Sequence, residues 1–350
     1  MINSENSFMF NELSMPMVLP NTRIKPNGNE VIFFADKDEY ALSEESAILF
    51  QAIFDKLDGT WSIAKISEFT HYPIDNIIQL LDFFSLEGLV IDININRDLS
   101  GRNLVSLVKN EASFWRKHIN NQPFWQSVHR GECSAREIHG WGIEFYHYVD
   151  AANEYMANGV AYCRDTIDIR QKLSAQYSEE ADHGEFFLQG LEKDGFTTDG
   201  ITKSPPLPST RALINYLNEV AMESTMVYAS VFSLMQSDGI AFDEDNLKKY
   251  YGDLINFYPF ASGMFTAFLK HASIDARHGH QISIFEKLYN NDSVVSATQV
   301  QRVISTIRQL ARYFILFYDY ISHYYSQKTS QLPRRSPRIS DFSFSDGASL

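Results

Sequence analysis

Residues 270–280 read KHASIDARHGH and lie within 263–289, a long amphipathic stretch that is predicted to be helical. Within it, His271, Asp275 and His278 form an HxxxDxxH pattern. At about 100° per residue, the three side chains fall within roughly 60° of arc and project from one helix face toward one point. That arrangement suits a set of metal ligands.

Two other predicted helices carry a Glu-x-x-His pair, Glu144 with His147 and Glu180 with His183. Redox iron and manganese sites combine imidazole nitrogen with carboxylate oxygen, and helical dimetal proteins take such ligands from several facing helices. A single pair of this kind is more often a solvated helix face or a local hydrogen bond. Three such helices in one region instead predict a metal site.

The chain from residue 103 onward is predicted to be helical almost throughout, which gives a mainly all-α fold class. Polar or proline-rich breaks fall at 204–209, 237–245 and 290–293. The predicted helices cover 104–117, 135–156, 162–191, 210–235, 244–251, 263–289 and 297–325.

A smaller unit precedes this helical region. Residues 31–35 and 40–42 predict a hairpin, Ser43 is a candidate helix N-cap, and 89–93 predicts a closing strand after three short helices. The sequence therefore divides into a flexible N-terminus (1–28), a winged-helix-like α+β domain (29–96), a helical domain (103–325) and a disordered tail (326–350).

Composition excludes several classes of protein. A net charge of −14 disfavours nucleic-acid binding, which depends on clustered Lys and Arg. The two cysteines, Cys133 and Cys163, have neither disulfide-framework nor zinc-site spacing. No run of about 18 apolar residues predicts a membrane span, and the first residues lack the basic region of a signal peptide. We therefore expect a cytoplasmic protein.

At these motifs the chain resembles the heme-oxygenase-like diiron oxidase family over about residues 104–325. The resemblance implies a heme-oxygenase-like helical bundle. It also implies the ligand set Glu144, Glu180, His183, His271, Asp275 and His278. Because the acidic pair and the His of the second motif are closely spaced here, Glu179 and Glu180 both remain candidates. His147 remains open as a ligand, a neighbour of a ligand or a core residue.

The resemblance further implies an enzyme, a dioxygen-dependent non-heme diiron oxidoreductase. It would bind two Fe(II) ions, with manganese as the alternative, and take dioxygen as co-substrate. Its substrate would be an amine, an amino acid or a peptide, in natural-product or peptide-modification biosynthesis. Hydroxylation, carbon–carbon cleavage and desaturation all remain open, as do an external electron donor and a homodimer.

The N-terminal unit resembles the peptide-recognition element of ribosomal-peptide biosynthesis, through residues 40–69 and the segment LEGLVID at 86–92. This implies a precursor peptide that adds to an exposed strand edge. A structural or dimerising cap is the simpler interpretation. Two functions compete with the diiron oxidase: a metal-free thiaminase-like or quinone-synthase-like enzyme, and a non-catalytic peptide-binding adaptor.

Overall fold

A computed structural model describes residues 9–27, 30–35, 38–235, 244–277 and 282–335. The described strands pair in three small antiparallel sheets, with the orders β1–β5, β2–β3–β4 and β6–β7, and all of them except β7 lie in the N-terminal region. The strands are β1 (Pro16–Val18), β2 (Arg23–Asn27), β3 (Glu30–Ala35), β4 (Asp38–Ser43), β5 (Val90–Asp92), β6 (Leu99–Ser100) and β7 (Val294–Val295).

The predicted hairpin is present as β3 and β4, in which Phe33 lies opposite Tyr40. Three helices follow β4 in the chain: α1 (Glu44–Ile53), α2 (Ile63–Thr70) and α3 (Ile74–Leu86). The ring of Phe33 contacts the rings of Phe50 on α1 and Phe84 on α3. These aromatic contacts bury one face of the sheet against the helices.

The segment before the hairpin does not match the predicted flexible N-terminus of residues 1–28. Within the described part, Phe10 and Leu19 are buried in the core. Strand β1 pairs with β5, and β2 adds to the free side of β3. Burial of Phe10 and Leu19 and pairing with a strand more than 70 residues away order this segment, so the prediction was wrong for residues 9–27.

Beyond β6, the regular structure of the described chain is helical except for β7. They are α4 (Gly101–Asn120), α5 (Pro123–His129), α6 (Ala135–Asp150), α7 (Ala152–Tyr162), α8 (Ile167–Glu180), α9 (His183–Lys193), α10 (Thr198–Thr202), α11 (Pro208–Glu223), α12 (Thr225–Met235), α13 (Glu244–Phe257), α14 (Ser262–Arg277), α15 (Ile284–Tyr289) and α16 (Ala297–Tyr325).

Several of these helices begin where a short polar side chain can satisfy backbone N–H groups. Ser134 and Glu137 form a reciprocal capping box at the start of α6, and Ser296 and Gln299 form another at the start of α16. Thr166 caps α8 by accepting a hydrogen bond from the Ile169 N–H. This last cap starts α8 at Ile167, so the helix predicted for 162–191 begins later than expected. It is also divided between Glu180, the last residue of α8, and His183, the first residue of α9.

Helix α16 runs through the bundle and packs against α4, α6, α11 and α12. Its apolar residues recur every three or four positions, which buries one stripe along 29 residues. The segment that follows α16 packs against the surface of the bundle as far as residue 335. Arg136 donates to the backbone and the hydroxyl of Ser330, and Arg334 donates to the carbonyls of Pro205 and Pro206.

The predicted disordered tail, 326–350, is thus held against α6 and the segment before α11 as far as residue 335. Residues 336–350 lie outside the described residues. Among the helices that are described, none combines the length and the apolar character needed to cross a membrane.

Candidate metal centre

Two residues of the candidate metal centre lie at the junction between α8 and α9. Glu180 is the last residue of α8 and His183 is the first of α9, so the Glu-x-x-His pair spans a break between two helices. A carboxylate oxygen of Glu180 lies 2.6 Å from Nδ1 of His183. His183 is 2% exposed, whereas 21% of the Glu180 side chain is exposed. The imidazole therefore lies in the core while the carboxylate reaches the edge of the bundle.

Helix α14 adds the second imidazole. The rings of His183 and His271 have centroids 4.5 Å apart and meet edge to face. Phe187, one turn after His183 on α9, also contacts the His271 ring at 5.4 Å. Antiparallel packing of α9 against α14 thus brings together two histidines that are 88 positions apart in the sequence.

Glu180, His183 and His271 each offer a ligand atom, and these three atoms all lie within 4.8 Å of one another. Two imidazoles with one carboxylate are a donor set that suits Fe(II), manganese or zinc. Oxygen and nitrogen donors this close, and largely removed from water, fit a metal ion better than they fit three separate solvated groups. The donor chemistry therefore fits the metal that the sequence predicts.

Two further ligands were predicted in the segment that follows His271. Asp275 lies one turn beyond His271 on the same helix, but its side chain is outside the described residues, and so is the whole of His278. The choice between Glu179 and Glu180 can be examined directly. Glu180 is half-buried and belongs to the group, whereas Glu179 is exposed and does not.

Glu144 was predicted to be a ligand, but in the structure it lies in a different set of contacts. Its fully buried carboxylate accepts hydrogen bonds from the Leu207 N–H at 2.8 Å, the Thr210 hydroxyl at 2.6 Å and the Tyr325 hydroxyl at 2.9 Å. Burial raises the pKa of Glu144, and the three donors partly oppose that shift. The structure therefore does not bring Glu144 to the other ligands, because α6 turns this residue toward α11 and α16.

His147 also lies apart from the group. Its Nε2 is 2.9 Å from the hydroxyl of Ser204, which in turn donates to the carbonyl of Ile201. Burial, reinforced by the positive charges of Arg211 and Arg334, lowers the pKa of His147 to about 4. A neutral imidazole in a polar chain that joins α6 to the end of α10 is consistent with a structural role.

Replacing Glu144 with Gln tests which role this carboxylate has. The Gln amide keeps one oxygen for the Leu207 N–H and the Thr210 hydroxyl, but its N–H₂ group would replace the charged oxygen that accepts from Tyr325. Because that charge-assisted hydrogen bond is lost, we expect the free energy of unfolding to fall by about 1–3 kcal/mol. Urea denaturation would measure the fall, and metal content would be unchanged because Glu144 does not contact the ligand group. A variant of normal stability that no longer binds metal would instead make Glu144 a ligand.

Aromatic side chains surround the ligand group. Phe145, Phe187 and Phe268 contact one another with centroids 4.7–5.0 Å apart. The negative charge of Glu180, together with the larger effect of burial, raises the pKa values of three buried tyrosines. These are Tyr148 on α6, Tyr155 on α7 and Tyr228 on α12.

These tyrosines are the residues near the site that sequence patterns identified least well. Tyr148 belongs to the aromatic-rich run FYHY at 145–148, and Tyr155 and Tyr228 belong to no motif of the sequence. They come from three helices and share no spacing motif with Glu180. Only the packing of α6, α7, α8 and α12 makes them neighbours of one carboxylate.

The two cysteines lie in the core, at 8% exposure for Cys133 and 1% for Cys163. Burial raises the pKa of Cys133 to about 11. Sulfur of Cys163 accepts a weak hydrogen bond from the Thr225 hydroxyl at 3.5 Å. Neither environment is the electropositive, accessible one that activates a nucleophilic cysteine.

We expect both thiols to react slowly with iodoacetamide in the folded protein at pH 8. A pKa of about 11 leaves on the order of one thiolate in a thousand at that pH for Cys133. Mass spectrometry of the folded protein should show little alkylation within the time that fully alkylates the urea-unfolded chain. Rapid modification of either cysteine in the folded state would contradict this and restore a nucleophilic role.

Comparisons with known proteins establish the fold. Residues 109–279, just under half of the chain, match the TENA/THI-4/PQQC family. A domain of unknown function from Shewanella denitrificans with a heme oxygenase-like fold is 20% identical, covering 67% of this chain and 98% of its own, with a TM-score of 0.51. The predicted fold class is confirmed: a mainly helical heme-oxygenase-like bundle follows a small strand-containing region.

A TenA homolog from Pseudomonas syringae pv. tomato is 14% identical, covering 63% of this chain and 93% of its own, with a TM-score of 0.48. No curated protein has significant sequence similarity to the chain. At 20% identity the Shewanella structure shows the fold alone, so the activity has to be argued from the site.

Proposed function

We propose that this chain is an oxidoreductase that binds two iron ions in its helical bundle and uses dioxygen to oxidise an amine, amino-acid or peptide substrate. The observation that carries the proposal is the close grouping of Glu180, His183 and His271. Asp275, on the same helix as His271, and His278 just beyond it would complete the ligand set. This composition of nitrogen and oxygen donors suits iron that changes oxidation state.

The roles of the chain's own residues follow from their positions. The carboxylate oxygen of Glu180 lies 2.6 Å from Nδ1 of His183, so the two side chains would bind one ion as neighbouring ligands. Phe187 packs against His271 and, with Phe145 and Phe268, keeps water from that side of the group. Iron, when bound, would supply the electrons that reduce dioxygen. A small substrate would approach from the side on which the Glu180 carboxylate reaches the edge of the bundle.

Oxygen uptake tests this function. Metal-free protein would be loaded anaerobically with Fe(II), freed of excess metal and mixed with oxygenated buffer while dissolved oxygen and optical absorbance are followed. We expect oxygen uptake in proportion to bound iron, together with a new absorbance band, and loss of both in His271→Ala. His129→Ala, which changes a histidine beside Tyr250, is the matched control and should behave as the wild type. Equal uptake by His271→Ala and the wild type would contradict the proposal.

A second candidate function is a metal-free enzyme similar to the thiaminase-like or quinone-synthase-like proteins. The match of residues 109–279 to the TENA/THI-4/PQQC family favours it over the diiron oxidase. Against a cysteine-dependent version stand the burial of Cys133 and Cys163 and the raised pKa of Cys133. Activity that survives complete removal of metal by a chelator would support this second function and reject the first.

The N-terminal region supports a further part of the proposal, the docking of a peptide substrate. Within the described residues β4 pairs only with β3, which leaves its other edge open to an added strand. Ile48 on the following helix α1 is 59% exposed. A peptide that extends the sheet at β4 could bury this side chain.

Peptide docking can be examined by acid extraction of natively purified protein, followed by mass spectrometry of the released peptides. We expect a peptide to be recovered from the wild type and lost from Ile48→Glu. Ser46→Glu is the matched control, since it adds the same charge to an exposed position on the other side of α1. Recovery of the same peptide from all three proteins would show that α1 does not contact it.

A further inference from the structure

Helices α9 and α14 contact each other at two glycines. A Cβ atom added to Gly263 would lie 2.4 Å from the carbonyl oxygen of Gly190, and one added to Gly190 would lie 2.8 Å from the carbonyl oxygen of Gly263. Real Cβ atoms do not approach backbone oxygens this closely. The spacing between the two helices therefore depends on the absence of a side chain at both positions.

Asp194 connects the end of α9 to the start of α14 by hydrogen bonds. It follows α9, and its two carboxylate oxygens accept hydrogen bonds from the Gly263 N–H at 2.8 Å and the Met264 N–H at 2.9 Å. Those N–H groups belong to the first turn of α14, where they have no partner within the helix. Its side chain is only 3% exposed, so these bonds are shielded from water. Asp194 thus caps α14 from the neighbouring helix.

The ligand histidines lie on the same helix pair, about two turns from this contact. His183 precedes Gly190 by seven residues on α9, and His271 follows Gly263 by eight on α14. At a rise of about 1.5 Å per residue, these offsets correspond to roughly 10–12 Å along each axis. Because the helices are antiparallel, both offsets lead to the same end, where the rings lie 4.5 Å apart.

We infer that Gly190, Gly263 and Asp194 are positioning residues for the metal ligands, with no contact to the metal itself. The glycine contact sets the distance between α9 and α14, and the Asp194 cap sets their register along the axes. A change in either would separate or slide the His183 and His271 imidazoles relative to each other. The inference rests on the proposed metal site and goes beyond it by assigning residues outside the ligand group.

Titration with Co(II) provides the test. The visible spectrum of bound Co(II) reports the number and arrangement of its ligands, and protein stability is measured separately. The variants are Gly263→Ala and Asp194→Asn. The matched control is Gly140→Ala, whose Cβ would lie 2.3 Å from the Tyr325 ring, a clash of similar severity between other helices. Thermal unfolding of each protein is measured beside the titration.

We expect Gly263→Ala and Asp194→Asn to bind Co(II) at least about 10-fold more weakly than the wild type and with altered absorption bands, the range typical of residues that orient ligands. Gly140→Ala should lose stability but keep the affinity and spectrum of the wild type. If Gly263→Ala does not fold, Asp194→Asn decides the question alone.

Wild-type affinity and spectrum in the folded variants would overturn the inference while leaving the metal site intact. A wild-type protein that binds no Co(II) would overturn the proposed metal site and this inference with it. An equal loss of affinity in Gly140→Ala would show that general destabilisation is the cause, and this too would overturn the inference.

Discussion

Replacing His183 with Ala is expected to weaken metal binding by at least about 100-fold. Residues that only orient ligands typically contribute 10- to 100-fold to affinity, so the loss of a ligand should cost no less. His183 is the most buried member of the group and lies against both Glu180 and His271. Competition with a chromogenic chelator would measure the affinities of variant and wild type for Fe(II) or Co(II).

His129→Ala again supplies the control for this measurement, since it removes an imidazole at the end of α5 that contacts Tyr250. Its affinity should equal that of the wild type. A His183→Ala variant that folds and keeps full affinity would show that the buried imidazole has only a packing role.

The second large effect is expected at Glu111, where the N-terminal region joins the bundle. Glu111 on α4 is fully buried and accepts two hydrogen bonds from Arg308 on α16 and one from the Trp115 indole at 3.1 Å. Arg308 also donates to the backbone carbonyls of Asp92 and Ile93 at the end of β5. One ion pair therefore connects β5, α4 and α16.

We expect Glu111→Ala to lower the free energy of unfolding by about 3–5 kcal/mol, because the guanidinium of Arg308, whose side chain is only 18% exposed, would lose its carboxylate partner. Urea denaturation followed by circular dichroism would measure the change. Glu223→Ala is the matched control. It removes the partner of Arg302, another arginine of α16, from a pair near the surface, where the cost is about 0–1 kcal/mol. Equal losses in both variants would mean that burial of the Glu111 pair adds nothing to stability.

The sequence predicted the helical character of the bundle well but not where its long helices are interrupted. Apolar periodicity runs through 210–235, yet the chain breaks at Ser224, whose backbone is extended. No Gly or Pro marks this break, at which the Ser224 hydroxyl accepts a hydrogen bond from the Val227 N–H and caps α12. The break between Glu180 and His183 was also missed. That break lets a residue from the end of one helix and one from the start of the next face the same point.

The ligand assignments of Asp275 and His278 stay predictions, since the side chain of Asp275 and the whole of His278 lie outside the described residues. The helix that carries His271 was predictable from its apolar periodicity. The position of Glu144 was not, since the donors that surround it come from residues 63, 66 and 181 positions further along the chain. Spacing gives the face of α6 on which Glu144 lies but does not tell which helices cover that face.

Prediction of the N-terminal segment failed similarly. Phe10 and Leu19 are too far apart to form a period, and β1 is ordered by its distant partner β5.

Counting the iron bound per chain tests the central claim most directly. Protein purified without metal would be titrated anaerobically with Fe(II) and assayed after removal of free metal, beside His271→Ala and Asp275→Ala. We predict two iron ions per wild-type chain and a loss of stoichiometric binding in both variants. A wild-type protein that retains no stoichiometric iron would contradict the metal centre and leave the metal-free enzyme as the better account.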